Sequence, residues 1–278
     1  MKPVTTAQLR ASATVDLMTA ARALGLGRTK AYELGRLALV DPDRLLARNL
    51  VRHQLTTRHL GLMKVEGLAD QLRHCWPDTA VEPLALDVTA DADRMRPLFH
   101  DSALIACAAD GVVPRRVVSH LARRAGIPAV LACVLEDGEI GEIIRLLPWP
   151  TAGCLICHRQ YLADIGGFDP EPALDQPYGT GTDHRPMTAV AGDLQLVGQL
   201  AAKIAIATLL EHAGQYDQVL PGDHLVVGLR PHSGLPPHAD LRHAAEFRWS
   251  RVGPPLPGCP TCDPESTGNA DRPAGAAR

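Results

Sequence analysis

The sequence predicts an α/β fold built around a mostly parallel sheet. Short apolar runs alternate with segments of helical spacing along most of the chain, as strands and their connecting helices do in parallel sheets. Two Cys-x-x-Cys pairs lie far apart in the sequence, as the two halves of one tetrahedral metal site often do. We therefore expect a sheet domain that carries structural zinc.

Length and composition limit the class of protein. A chain of 278 residues with 46% hydrophobic residues can bury one substantial core. The formal net charge of −3 gives no overall attraction to nucleic acid or to an anionic membrane. The N-terminus, MKPVTTAQLR, lacks the apolar region of a secretory signal, and no apolar run is long enough to predict a membrane span. We expect a cytoplasmic protein without a membrane segment.

The first 36 residues predict a short helical segment. Two stretches with helical spacing lie on either side of the turn Gly25-Leu26-Gly27, which is a helix-turn-helix pattern. The pattern resembles the front half of excisionase-type (MerR-like) DNA-binding domains, in which Arg28, Thr29, Lys30 and Tyr32 would face the major groove. A helical cap on the following domain is the alternative, because a helical pair of this length has no core of its own.

The next part of the chain predicts the sheet domain itself. The predicted strands begin at Leu37 and cover 80–86, 103–108, 127–135, 224–230 and 246–252, and the predicted helices cover 64–74, 115–125 and 194–212. Residues 168–187 are rich in Pro, Gly and Asp and predict a long loop. The alternation predicts one Rossmann-like domain over 37–262, and the polar tail 263–278 is expected to be disordered.

The paired cysteines predict the zinc site. Cys154 and Cys157 form the first pair, and Cys259 and Cys262 form the second. Four thiolates complete a tetrahedral zinc shell and leave no open position for chemistry, so the site would be structural. Four buried cysteines without a metal are the alternative interpretation.

An ordered set of motifs gives the clearest indication of family. The strand from Leu37 ends in Asp41-Pro42-Asp43, and Asn49 to Arg52 and then Gly61 to Lys64 follow as Asn-Leu-x-Arg and Gly-x-x-Lys. A later apolar strand ends at Asp110, and Gly126-Ile127-Pro128 opens the next one. This order, together with the two Cys-x-x-Cys pairs, resembles the ThiF/MoeB/HesA family, the bacterial relatives of ubiquitin-activating enzymes.

The resemblance implies an activity and roles for particular residues. In that family a C-terminal carboxylate attacks the α-phosphate of ATP and gives an acyl-adenylate and pyrophosphate. By resemblance, Asp41 would hold the ribose hydroxyls, with Asp43 beside it in the nucleotide site, and Asp110 would hold Mg²⁺. The phosphates would be gripped by Asn49, Arg52 and Lys64, so that Asp110, Arg52 and Lys64 form the implied catalytic set. Taken singly, each of these residues also fits a turn, a helix cap or a solvated surface position.

The chain also departs from the family pattern. No Gly-x-Gly-x-x-Gly loop, whose backbone amides would cradle the nucleotide, precedes Asp41. No cysteine lies between Cys157 and Cys259, where family members that form a thioester carry one. We therefore expect any activity to stop at adenylation.

Three functions follow as hypotheses. The first is an ATP- and Mg²⁺-dependent adenylyltransferase that acts, as a homodimer, on the C-terminus of a ubiquitin-like or sulfur-carrier protein or of a peptide. The second is a non-catalytic scaffold, stabilised by zinc, that binds a ubiquitin-like protein or a homologue. The third is a DNA-binding regulator that uses the N-terminal helices.

Overall fold

A computed structural model describes residues 36–77, 79–109, 111–135, 138–148, 150–165, 189–216, 218–231 and 241–263. The chain divides into two compact units between Ala90 and Asp91. The predicted helix-turn-helix up to residue 35, Asp110, the loop 168–187 and all but the first residue of the tail 263–278 lie outside the described residues. The domain boundaries at 36 and 262 remain predictions.

The first unit is a strand–helix–strand motif. Strand β1 (Arg36–Val40) pairs in parallel with β2 (Ala80–Leu84), and helix α1 (Lys64–Cys75) connects them. Between β1 and α1 the chain makes two 3-10 turns, Ala47–Asn49 and Thr57–His59. A parallel pair needs such a crossover, and its helix covers the strands with a buried face that includes Val65 and Ala69.

The second unit contains a mixed sheet in the order β3-β4-β5-β6-β7. Its elements are α2 (Ala92–His100), β3 (Ile105–Cys107), α3 (Val112–Ala125), β4 (Ala129–Leu135), β5 (Ile140–Leu146), α4 (Leu155–Asp164), α5 (Ala191–His212), β6 (His224–Gly228) and β7 (Phe247–Ser250). Strands β3 and β4 are parallel, whereas each later pair is antiparallel. Every described residue of β4, β5 and β6 is buried, so these three strands form the centre of the core.

The sequence predicted the α/β class, and the structure confirms it. The change to antiparallel pairing follows from the short connection at 136–139, which is long enough for a tight turn but too short for a helical crossover. Gly138 accommodates this turn with a φ of 87°.

Within the described ranges, the sequence did not predict two of the α-helices and one strand. The strand β5 carries Glu142 and Arg145, so it does not read as an apolar run. Helix α2 contains Pro97, and helix α4 starts inside the first cysteine pair, where the Cys-x-x-Cys spacing directed attention to the metal. The charged residues, the proline and the cysteine spacing each hid the sequence pattern that would have predicted the strand or helix.

Helix α5 covers one face of the second sheet. Its residues Val197 and Ile204 pack into a core cluster with side chains of β4, β5 and β6. With a hydropathy of 1.3, this helix is long and apolar enough to cross a membrane by length and composition alone. One such helix is weak evidence for a membrane span; this one contacts β4 and β5, and 28% of its most apolar window is buried.

Gly141 on β5 permits the close approach of this helix, which leads to a first prediction. A Cβ atom at this position would lie 2.4 Å from Val197 Cγ2 and 2.7 Å from Val227 Cγ1. We therefore expect Gly141→Ala to lower the free energy of unfolding by about 1–3 kcal/mol, measured by urea denaturation. The control is Gly198→Ala on α5, where a Cβ meets nothing within 4 Å and should be neutral or stabilising. Equal effects of both changes would contradict this packing.

Candidate functional site

The four paired cysteines lie together in the second unit. Cys154 is the N-cap residue of α4 and Cys157 lies in the first turn of that helix. Cys259 and Cys262 lie in a turn at the C-terminal end of the described chain, where the Cys262 amide donates to the Cys259 carbonyl at 3.1 Å. All four side chains are buried, and their sulfur atoms lie within 4.8 Å of one another.

The sulfur distances fit a zinc ion. With Zn–S bonds of about 2.3 Å, tetrahedral geometry places sulfur atoms about 3.8 Å apart. Cys154 Sγ lies 3.8 Å from Cys157 Sγ and 3.7 Å from Cys259 Sγ. The Cys154 thiol donates a hydrogen bond to Cys157, which lowers the pKa of Cys157 and raises the pKa of Cys154. These four cysteines could therefore hold a metal such as zinc, with no ligand position left open.

Helix α3 contacts both halves of this site. The Ser119 hydroxyl accepts a hydrogen bond from the Leu155 amide at 3.0 Å, which caps the start of α4. Arg123 donates to the Ala152 carbonyl, just before Cys154. His120 Nδ1 lies 3.1 Å from the Thr261 hydroxyl, inside the second pair. One helix therefore positions both cysteine pairs.

A buried charge cluster lies next to the cysteine site and was not predicted from the sequence. Arg159 on α4 donates two hydrogen bonds, of 2.6 and 2.5 Å, to the carboxylate of Glu142 on β5. His224 Nε2 lies 3.0 Å from the same carboxylate, and Arg115 Nη1 lies 3.8 Å from it. Each of these side chains is buried. Burial alone would raise the pKa of Glu142, but Arg159 and then His224 hold it well below its ordinary value.

Helix α4 connects the charge cluster with the cysteine site. Cys157, His158 and Arg159 are consecutive on this helix. The His158 ring packs edge-on against that of His224, with 4.6 Å between centroids. Its Nδ1 accepts from the Gly253 amide at 3.4 Å, so the C-terminal segment that carries Cys259 and Cys262 also touches this helix. A hydrophobic pattern could not have revealed this cluster, because its members come from separate elements.

Three of the residues predicted for a nucleotide site come together in the first unit. The ammonium of Lys64, at the start of α1, lies 2.6 Å from Asp43 Oδ2 and 3.6 Å from Asp41 Oδ2. The Asp43 amide donates to Asp41 Oδ1 at 2.8 Å, so the Asp-Pro-Asp segment forms an Asx turn. We call Asp41, Asp43 and Lys64 the carboxylate–lysine cluster. It lies at the carboxyl end of β1, where ligands bind in parallel sheets.

The other predicted residues have different surroundings. Asn49 Oδ1 accepts a hydrogen bond from the Leu46 amide at 2.9 Å, which stabilises the first 3-10 turn. Arg52 is exposed and makes no ion pair with the described residues. Asp110 lies outside the described residues and in the other unit, so its relation to the cluster stays a prediction.

His53 was not singled out by the sequence analysis, although it directly follows Arg52. Burial and the nearby charge of Lys64 lower the pKa of His53, against an opposing effect of Asp41. Its Nδ1 accepts a hydrogen bond from the Leu55 amide at 3.1 Å, so the proton of the neutral ring lies on Nε2. The fixed tautomer gives the surroundings of the cluster one further hydrogen-bond donor.

Comparison with known structures shows that this chain shares its fold with MccB and PaaA. The structure of E. coli MccB with ATP has a TM-score of 0.59 and 17% identity, over 89% of this chain and 62% of that chain. The structure of the microcin C7 biosynthetic enzyme MccB in complex with N-formylated MccA has a TM-score of 0.61 and 18% identity, over 89% of this chain and 63% of that chain. The structure of PaaA has a TM-score of 0.54 and 18% identity, over 77% of this chain and 65% of that chain. This chain therefore spans less than two thirds of each of these proteins, and the likeness shows the fold.

Comparison of sequences identifies the family. A search of curated proteins found no match. The model of the ThiF family, however, matches residues 23–221, which is more than half of the chain and includes the whole carboxylate–lysine cluster and the first cysteine pair. This chain therefore belongs to the ThiF family.

Proposed function

We propose that this protein is an ATP-dependent adenylyltransferase that activates the C-terminal carboxylate of a protein or peptide. The observation that carries the proposal is the carboxylate–lysine cluster at the carboxyl end of β1, within the matched ThiF region. E. coli MccB, which has a similar fold, has been crystallised with ATP, and a further MccB structure contains N-formylated MccA. A protein or peptide terminus is therefore the substrate class we propose here.

The proposed reaction forms one bond and breaks another. A carboxylate oxygen of the substrate attacks the α-phosphorus of ATP, and the bond from that phosphorus to the bridging oxygen of the β-phosphate breaks. The products are an acyl-adenylate and pyrophosphate. Negative charge grows on the leaving pyrophosphate, so catalysis needs fixed cations there. Lys64 and Arg52 are the proposed cations, and Asp110 is the proposed ligand of Mg²⁺.

The nucleoside would be recognised by the acidic end of β1. A carboxylate at this position in a dinucleotide-type fold accepts hydrogen bonds from the ribose hydroxyls. Asp41 is half-buried and has Oδ1 fixed by the Asp43 amide, so its orientation is set before a ligand arrives. His53 Nε2–H and the exposed Arg52 are further groups close in sequence that could donate to a bound nucleotide.

The reaction should end at the acyl-adenylate or with an external acceptor. The chain has no cysteine between the two zinc-type pairs, and all four paired cysteines are used in the metal site that we propose. An enzyme-bound thioester in that segment is therefore excluded from the proposal. We also expect the protein to form a homodimer and to be cytoplasmic.

The test of the proposed function is exchange of labelled pyrophosphate into ATP. The probes are MccA and a ubiquitin-fold protein that ends in Gly-Gly, each with a free and with an amidated C-terminus. We expect exchange with at least one free terminus and none with its amide, because an amide offers no carboxylate oxygen. Lys64→Ala should reduce the exchange rate by about 100-fold, as loss of one transition-state donor commonly does.

A matched control variant shows whether the loss of exchange belongs to the carboxylate–lysine cluster or to any charge change in the first unit. Glu82→Gln removes a charge on β2 that pairs with the exposed Arg36, and it should leave the exchange rate unchanged. Absence of exchange with every probe, from protein that also fails to bind ATP, would reject adenylation. The non-catalytic scaffold would then be the function to pursue, by measuring binding of the same ubiquitin-fold protein.

A further inference from the structure

We infer that Asp43 occupies the place of a nucleotide phosphate on Lys64, so that ATP binding requires the Asp43 carboxylate to leave the ammonium. This inference rests on the proposed function and concerns how the same site is regulated. It assigns Asp43 a role different from that of a nucleotide ligand: an internal carboxylate that competes with the phosphates.

The geometry at Lys64 is that of an ammonium already bound to an anion. Its Nζ donates a hydrogen bond of 2.6 Å to Asp43 Oδ2, which is at the short end for a bond between an ammonium and a carboxylate. The Lys64 amide also donates to the Asp43 carbonyl at 2.8 Å, so the two residues are joined through backbone and side chain. The ammonium is thus held at the start of α1, where an anion is also favoured by the helix dipole.

The charges of the cluster oppose a second anion. Two carboxylates and one ammonium sum to −1, since Asp41 Oδ2 also lies 3.6 Å from Lys64 Nζ. A triphosphate that approaches this cluster meets net repulsion until one carboxylate is neutralised or moves away. Asp41 is bound to the Asp43 amide and is the proposed partner of the ribose, so Asp43 is the carboxylate that has to move.

The exposures of the three side chains agree with this assignment. Lys64 is 18% exposed and Asp41 38%, whereas Asp43 is 64% exposed. A largely exposed carboxylate can rotate into solvent and regain its hydration at little cost, since exposed ion pairs contribute about 0–1 kcal/mol. The lysine stem cannot move as freely, so the contact is broken by Asp43.

Nucleotide binding by an Asp43→Asn variant tests the competition. Titration calorimetry with ATP should give a Kd about fivefold lower for Asp43→Asn than for the wild type, because the neutral asparagine does not hold the Lys64 ammonium as the carboxylate does. Adenosine, which has the ribose but no phosphate, should bind both proteins equally. The control Glu82→Gln, which removes a negative charge elsewhere in the same unit, should match the wild type with both ligands. Unchanged or weaker ATP binding by Asp43→Asn would overturn the inference.

A second measurement needs no nucleotide and separates this inference from the proposed function. Acetylation of lysines by acetic anhydride, followed by mass spectrometry, should label Lys64 several-fold faster in Asp43→Asn than in the wild type or in Glu82→Gln. Lys203, on α5 of the other unit, provides the internal reference. Unchanged labelling of Lys64 overturns the inference directly. Faster labelling in a protein that binds no ATP would instead reject the proposed function, and with it the competition.

Discussion

Loss of the metal-binding cysteines should unfold the second unit. We expect Cys154→Ser to lower the melting temperature by more than about 10 °C and to abolish zinc binding, measured as one zinc per chain by mass spectrometry of the metal. Structural zinc contributes apparent binding energies of about 10 kcal/mol in small peptides, and part of that energy should appear here as folding stability. Because Cys154 and Cys259 come from distant parts of the chain, a metal bound by both would also close a long loop.

A control on another cysteine shows whether the effect belongs to the site. Cys75 is exposed and lies in the first unit, so Cys75→Ser should leave both the zinc content and the melting temperature unchanged. Treatment of the wild type with a chelator should reproduce the effect of Cys154→Ser. A zinc-free protein that melts at the wild-type temperature would show that the four cysteines pack without a metal.

Disruption of the buried charge cluster should be nearly as damaging. We expect Arg159→Met to lower the free energy of unfolding by about 3–5 kcal/mol, because it leaves the Glu142 carboxylate buried without its main partner. Denaturation by urea, followed by circular dichroism, measures this loss. The double variant Glu142→Leu with Arg159→Met should recover part of it, since the carboxylate is removed together with its main partner, while Arg115 stays buried.

The same cluster predicts a dependence on pH. The pKa of Glu142 is lower in the folded protein than its ordinary value of 4.5, so its stabilising contribution is complete above that value and is lost as the pH falls through the folded pKa. The wild type should therefore lose more stability under acid conditions than the double variant does. Equal stability of wild type and Arg159→Met at neutral pH would contradict the account of this cluster.

The sequence was most informative where residues close in the chain act together. Asp41 and Asp43 follow one strand and Lys64 begins the next helix, so parallel β–α topology brings them to one edge of the sheet. The cysteine pairs were recognisable by spacing alone, because a Cys-x-x-Cys turn presents two sulfurs to one ion. The structure brings the four cysteines together, and it places Asp41, Asp43 and Lys64 close to one another, while their role in binding a nucleotide stays a prediction.

The sequence was least informative where distant elements combine. Glu142, Arg159 and His224 come from β5, α4 and β6, and each of them, read alone, resembles a surface residue. These residues become partners only when the sheet and α4 pack together. Each is then needed, because a buried charge without its partner destabilises the fold. The strand β5, and with it the change to antiparallel pairing, was missed for a related reason, since Glu142 and Arg145 interrupt its apolar sequence pattern.

Binding of ATP to the wild-type chain is the measurement that tests the central claim most directly. Titration calorimetry with ATP and Mg²⁺ should show one nucleotide per chain for the wild type, and Asp41→Ala should weaken binding by at least about tenfold, because the proposed ribose ligand is lost. Glu82→Gln should bind as the wild type does. A folded, zinc-loaded wild-type protein that shows no heat of ATP binding would contradict adenylation as the function of this chain.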